Sequence, residues 1–233
     1  MKIILKKYLF KSLDLILYFY CKALRKNYAY YYSLRMNYIV YLNPNWGLNL
    51  ERESQLKYLK SKGLKSHHSF LDYGCGAISA GQFFINFLEP KKYTGLDISE
   101  LVISEAKKRV LSFNLQEKEP QFFLAKEGFF DFSSYKNFDF IWAQSVLTHM
   151  PPESVDLMFK QLKPYFTNST NFFFTYTKNE SGIDHKQFKD WSYSFEELIK
   201  IADKYSFELI EQNDWIHAYD DTDSDKMVLA KLK

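Results

Sequence analysis

At 233 residues, with 46% hydrophobic side chains, the chain suits one α/β domain with an added N-terminal element and a substantial core. A formal net charge of only +3 removes any bulk argument for a nucleic-acid partner. The two cysteines, Cys21 and Cys75, argue against a disulfide framework and for a reducing compartment, since one sits inside a glycine turn.

Residues 1–12 are basic and 13–21 mostly apolar, which imitates a signal peptide. Asp14 interrupts the apolar run, however, and no small-x-small cleavage pattern follows. The run also falls far short of the roughly 20 apolar residues that span a bilayer. Neither secretion nor a transmembrane helix is expected. Residues 2–26 read as one amphipathic helix. Lys7, Lys11, Asp14, Tyr18, Lys22 and Arg25 form a narrow polar stripe, and Leu5, Leu9, Leu13, Ile16, Leu17, Tyr20 and Leu24 the broad opposite face. Such a helix packs on the domain or a second subunit, or lies on a membrane surface. The expected location is therefore the cytoplasm. Helix 2–26 would supply peripheral contact at the inner face of the membrane or self-association.

Residues 27–50 are aromatic and read as irregular, with turn chemistry at Asn43-Pro44-Asn45-Trp46-Gly47. They close an N-terminal segment, 1–50, ahead of a main domain over 51–233. That domain opens with a helix over 51–62, which Gly63 caps. Strands are predicted at 69–73, 93–96, 121–125, 138–143, 171–177, 207–212 and 226–232, and helices at 79–88, 99–113, 153–163 and 195–205. Apolar strands alternating with helices argue for a mostly parallel sheet covered on both faces. The last two strands leave no room for a crossover helix and must pair antiparallel.

The first strand runs into Asp72-Tyr73-Gly74-Cys75-Gly76. Gly74 and Gly76 let backbone approach a ligand closely. A dinucleotide site would want a third glycine at the position of Ser79, which disfavours an NAD-type oxidoreductase. Asp72, just before the first glycine, suits a cationic ligand. Asp97 ends the second strand about 20 residues later, where an acid accepts hydrogen bonds from both hydroxyls of a ribose.

With these residues the chain resembles the class I S-adenosylmethionine-dependent methyltransferases, bacterial small-molecule type. The motifs are Leu71-Asp72-Tyr73-Gly74-Cys75-Gly76, Gly95-Leu96-Asp97-Ile98-Ser99 and Phe138-Asp139-Phe140-Ile141-Trp142-Ala143-Gln144-Ser145. The resemblance covers roughly residues 50–233 and implies a Rossmann-like, seven-stranded, mostly parallel sheet with an antiparallel last strand. It implies that Gly74 and Gly76 face the methionine portion of the cofactor and that Asp72 helps hold its amino end. Asp97 would bind the ribose, and Ile98 would pack on the adenine. Glu127, Gly128 and Phe129 would contact the adenine ring and its amino group. Gln144 would lie beneath the methyl-bearing sulfur. The chain departs from near relatives at Ile78-Ser79-Ala80, where a glycine and an arginine are usual. Gln82, or a group from the N-terminal segment, would then hold the cofactor carboxylate.

The expected activity is methyl transfer from S-adenosylmethionine to a small-molecule, glycan or lipid-linked acceptor. A non-catalytic cofactor-fold subunit or membrane-associated scaffold is the alternative. A general base is optional, because a sulfonium is already an activated methyl donor. His149, after the fourth strand, and His217, in the last loop, are the candidate bases. Tyr176, His185 and Trp191 are the candidate acceptor-pocket residues, because ligands bind beyond the carboxyl ends of the strands. No metal is expected. Asp220, Asp221, Asp223 and Asp225 do not match a calcium loop, and no Cys/His pattern suggests zinc.

Overall fold

A computed structural model describes residues 2–43, 52–132, 137–186, 188–215 and 225–233, with backbone alone for 2–11. The predicted turn at 44–47, His217, Asp220, Asp221 and Asp223 lie outside the described residues. The helices are α1 (Lys2–Ala23), α2 (Tyr28–Leu42), α3 (Glu53–Ser61), α4 (Gly81–Phe87), α5 (Glu100–Ser112), α6 (Pro152–Leu162) and α7 (Phe195–Asp203). The strands are β1 (Phe70–Tyr73), β2 (Tyr93–Asp97), β3 (Gln121–Leu124), β4 (Phe140–Ala143), β5 (Asn171–Lys178), β6 (Ile183–Lys186), β7 (Asp190–Tyr193), β8 (Phe207–Gln212) and β9 (Asp225–Leu232).

The central strands are mostly apolar because both of their faces are buried. Successive side chains alternate between the two layers. Leu71, Ile141, Ala143, Phe172, Phe174 and Tyr176 enter one core cluster. Phe70, Phe140, Trp142 and Phe173 enter the other. The crossover helices start on local signals. Ser99 caps α5 by accepting from the Val102 N–H at 3.1 Å. Pro152 opens α6, where its missing N–H costs nothing.

Strands β3-β2-β1-β4-β5 are parallel neighbours in that order. β9 runs antiparallel to β5, and β8 pairs antiparallel with β9. These seven strands are the ones predicted, and the antiparallel last strand is among them. The short hairpin β6–β7 is additional, with β7 extending the sheet beside Thr177 and Lys178 of β5. Its alternation is too weak to read from the sequence.

Two N-terminal expectations need correction. Residues 28–42 are helical rather than irregular. The Asn27 side chain caps α2 by accepting from the Tyr30 N–H at 2.9 Å. The helix shows no clear apolar stripe because it is contacted on two sides. α1 also turns the opposite way from an ordinary amphipathic helix. Asp14, on its polar stripe, is 6% exposed, whereas Ile16, on its apolar face, is 66% exposed. The cause is α2: Arg35 Nε donates to Asp14 Oδ1 at 2.9 Å, and the Tyr38 hydroxyl donates to the same oxygen. Tyr18 packs edge-on against Tyr31 in the same seam.

α2 in turn lies across the carboxyl ends of β2 and β3. Asn37 Oδ1 accepts from Ser99 Oγ at 2.7 Å, and Asn27 Nδ2 donates to Glu127 O at 3.1 Å.

Candidate active site

The strand order reverses between β1 and β4, which opens a crevice beyond the carboxyl ends of the strands. A cavity of about 930 Å³ fills it, near the top of the usual range of roughly 300–1,000 Å³ for small-ligand sites. The ends of β1, β2 and β4 form its floor, and Tyr28, Tyr32 and Met36 of α2 form its roof.

The turn after β1 shapes that floor. Gly74 sits at φ +78°, and a Cβ there would fall 2.5 Å from Val146 Cγ2. The Gly76 N–H donates to Asp97 Oδ2 at 3.0 Å, and the Ser99 N–H donates to Asp97 Oδ1 at 3.0 Å. Asp97 is thus fixed at the end of β2, and each oxygen retains lone-pair capacity toward the cavity. Asp72 is fixed from the other side. The Tyr93 hydroxyl donates to Asp72 Oδ2 at 2.7 Å. That hydroxyl has room because a Cβ on Gly81 would lie 2.5 Å from it.

Burial dominates the electrostatics. It pushes Asp72 up to about 7, with the Tyr93 hydrogen bond and the Arg52 charge opposing it and the Asp97 charge adding to it. Burial likewise pushes Asp97 up to about 6, against backbone N–H groups of Ser99, Gly76 and Ile98. Two carboxyls short of compensating charge therefore share one cavity. Glu127 (φ +54°) and Ser145 (φ +55°) line it in the left-handed region, a conformation that costs about 1–3 kcal/mol and clusters at functional sites. Ile78 holds φ +54°, in the left-handed region that favours glycine.

Most of the expected cofactor residues come together. Asp72, Gly74, Gly76, Asp97, Ile98, Glu127, Gly128, Phe129 and Gln144 all line the cavity. Gln144 belongs to a hydrogen-bonded chain: Trp142 Nε1 donates to Gln55 Oε1 at 3.0 Å, Gln55 Nε2 to Gln144 Oε1 at 3.2 Å, and Gln144 Nε2 to Ser145 Oγ at 2.6 Å. Gln82 does not reach the cavity, because its Nε2 donates back to Ser79 O at 2.9 Å.

The expected acceptor residues are elsewhere. Tyr176 is fully buried in the core, and its hydroxyl donates to Glu211 Oε1 at 2.6 Å. His185 and Trp191 form a cross-strand pair, stacked with centroids 3.9 Å apart. They support Tyr18 and Tyr28 of the N-terminal hairpin from outside the cavity.

His149 does line the cavity. Its Nδ1 lies 3.2 Å from Asp190 Oδ1 and 3.1 Å from Lys189 O. Both partners are acceptors, so Nδ1 carries the proton in the neutral ring and Nε2 is left as the basic nitrogen. The ring also stacks on Tyr32, with centroids 5.2 Å apart. Burial raises the Asp190 carboxyl, but the hydrogen bonds from His149 and Lys189 outweigh it and hold the group below the usual range.

Sequence reasoning missed Arg52, Tyr28, Tyr32 and Asp190. Arg52 lines the cavity and acts electrostatically on Asp72. It stands at the N-cap of α3, where the helix dipole disfavours a cation, and that mismatch is a signal the sequence carries.

Residues 71–168 match the family described as a methyltransferase domain. No curated protein sequence matches the chain. Among solved structures, magnesium protoporphyrin IX methyltransferase from Synechocystis PCC 6803 with bound SAM aligns with a TM-score of 0.59 and 16% identity. That alignment covers 87% of this chain and 83% of that one. A glycopeptide N-methyltransferase complexed with S-adenosyl-L-methionine aligns with a TM-score of 0.62 and 11% identity, over 77% of this chain and 93% of that one. An S-adenosylmethionine-dependent methyltransferase from Clostridium acetobutylicum aligns with a TM-score of 0.59 and 12% identity, over 84% of this chain and 97% of that one. Residues 71–168 thus match the methyltransferase-domain family model, and the chain shares the fold of these solved S-adenosylmethionine-dependent methyltransferases.

Proposed function

We propose that the chain transfers the methyl group of S-adenosylmethionine to a small-molecule, glycan or lipid-linked acceptor. The observation that carries this reading is the pair of buried carboxyls, Asp72 and Asp97, flanking the glycine turn in one cavity. A ligand that brings a cation to Asp72 and two hydroxyls to Asp97 relieves the burial penalty of both. S-adenosylmethionine has this pattern in its amino group and ribose. Ile98 and Gly128 then flank the adenine, and Arg52 takes the carboxylate that the missing arginine near residue 79 would otherwise hold.

Bound there, S-adenosylmethionine supplies a methyl group on a positive sulfur, already activated for displacement. The chain's task is to position the acceptor in line and exclude water, and positioning of this kind contributes about 7–11 kcal/mol. Tyr28 and Tyr32 roof the cavity and exclude water. His149 acts as general base: Asp190 and Lys189 O orient the ring through Nδ1, and Nε2 receives the proton that a hydroxyl or amine acceptor must lose.

The test is incubation of the intact chain and isotopically labelled S-adenosylmethionine with an extract of the source cell, followed by mass spectrometry. Label in a small molecule, glycan or lipid-linked product supports the reading. Cofactor binding without transfer to any acceptor would replace it with that of a non-catalytic subunit.

A further inference from the structure

The overall charge of +3 conceals a separation. Residues 1–43 hold eight of the 31 Lys and Arg but one of the 28 Asp and Glu, so the α1–α2 segment carries +7 and the remaining 190 residues carry −4. The single acid is Asp14, which is buried and paired with Arg35. Lys26 lies 3.9 Å from Glu127. Lys2, Lys6, Lys7, Lys11, Lys22 and Arg25 have no acidic residue within their own segment other than Asp14.

The same segment exposes an apolar face. Ile16, Phe19, Tyr20 and Leu24 are all exposed. Their spacing of three, four and eight residues makes them one stripe along α1. Leu5 and Leu9 fall in the same register further toward the N-terminus. Phe19 meets the domain only edge-on at Phe188 and stays half exposed, and the opposite side of α1 already packs on α2 through Asp14, Tyr18 and Cys21, so the stripe is left largely uncovered. No described helix is long and apolar enough to cross a membrane.

We infer that this face docks on the surface of an anionic lipid bilayer, lying in the plane of the interface. Apolar and aromatic side chains on one side, with a surplus of lysine, are what interfacial helices use. The apolar face enters the headgroup boundary, and the cations attract anionic lipid. A second copy of the chain fits less well. A two-fold contact through α1 would bring two segments of +7 together. α2 also roofs the cavity, so the docked hairpin sets the cavity one helix away from the bilayer. The inference does not rest on the methyl-transfer reading.

The test is co-sedimentation of the intact chain with vesicles of phosphatidylcholine containing phosphatidylglycerol, against phosphatidylcholine alone. The chain should sediment with the anionic vesicles, and high salt should weaken binding. The double variant Ile16→Glu/Phe19→Glu should lose about tenfold or more in partitioning. Its melting temperature should fall by no more than the loss of the edge contact between Phe19 and Phe188 brings, since both positions are exposed. A second variant, Lys22→Gln/Arg25→Gln, should lose affinity for anionic vesicles alone. The inference is overturned if the intact chain stays in the supernatant with anionic vesicles, or if the Glu variant binds as well as the parent. A dimer in lipid-free solution that the Glu substitutions split would also overturn it, by giving the face to a second copy.

Discussion

Asp72→Asn should move stability and cofactor affinity in opposite directions. In the native protein burial raises the Asp72 carboxyl from its ordinary 3.8 to about 7. The ionised form is therefore penalised in the fold and not in the unfolded chain. The penalty is absent below the unfolded value, grows as pH rises from about 4 to 7, and is complete above that. At about 1.36 kcal/mol per pKa unit the ceiling is about 4 kcal/mol at pH 8. Asparagine keeps the shape, still accepts the Tyr93 hydrogen bond, and does not ionise. Relaxation around the charge lowers the gain, so the variant should exceed the parent by about 2 kcal/mol or more at pH 8. That is a rise of roughly 4–8 °C in melting temperature for a chain of this length. The difference should vanish near pH 4. Binding should change the other way. Losing a hydrogen bond to a charged partner costs about 1.5–3 kcal/mol, so S-adenosylmethionine should bind about 10–150-fold more weakly. For the parent, affinity should rise between about pH 6 and 8 as the Asp72 carboxyl ionises to meet the cation. Thermal melts across pH and calorimetric titration measure both arms. A variant no more stable than the parent at pH 8 would show that Asp72 carries no burial penalty, and one that binds S-adenosylmethionine equally well would take Asp72 away from the cation.

Arg52→Gln should weaken S-adenosylmethionine by about tenfold or more yet leave methylthioadenosine, which has no carboxylate, unchanged; equal losses for both would remove Arg52 from the carboxylate. His149→Ala should lower kcat by about 10²–10⁴-fold with little change in cofactor Kd, and Asp190→Asn should give a smaller loss by loosening the ring. An unchanged kcat in both variants would make His149 a structural residue. Asp14→Ala leaves the partly buried Arg35 without its carboxylate, at a cost of at most about 3–5 kcal/mol. Hydrogen exchange should then quicken across α1 and α2 while the β1, β4 and β5 amides stay protected. Uniform quickening would contradict a hairpin held by that ion pair.

The parts legible in the sequence are those written in local chemistry. β1, β4 and the Phe172-Phe173-Phe174 run of β5 announce themselves because both faces are buried and these stretches are mostly apolar. Asp72 and Asp97 are legible because a carboxylate at a strand end beside a glycine turn answers to backbone geometry within a few residues. What the sequence hid depends on distant contacts. Periodicity defined the two faces of α1 but not which one turns inward; Arg35 and Tyr38, contributed by α2, decided that. Tyr28 and Tyr32 reach the cavity only because α2 crosses the sheet end. His185 and Trp191 looked available in a loop, yet they pair across a hairpin and stack on each other.

In the proposed complex one cleft reads the ribose and the amino end of S-adenosylmethionine through Asp97 and Asp72. A crystal structure of the chain with S-adenosylhomocysteine tests it most directly. Both ribose hydroxyls should lie on Asp97, the amino group toward Asp72, the carboxylate toward Arg52, and the adenine between Ile98 and Gly128. A ligand bound with its ribose away from Asp97, or no ligand in the cavity beneath α2, would contradict it.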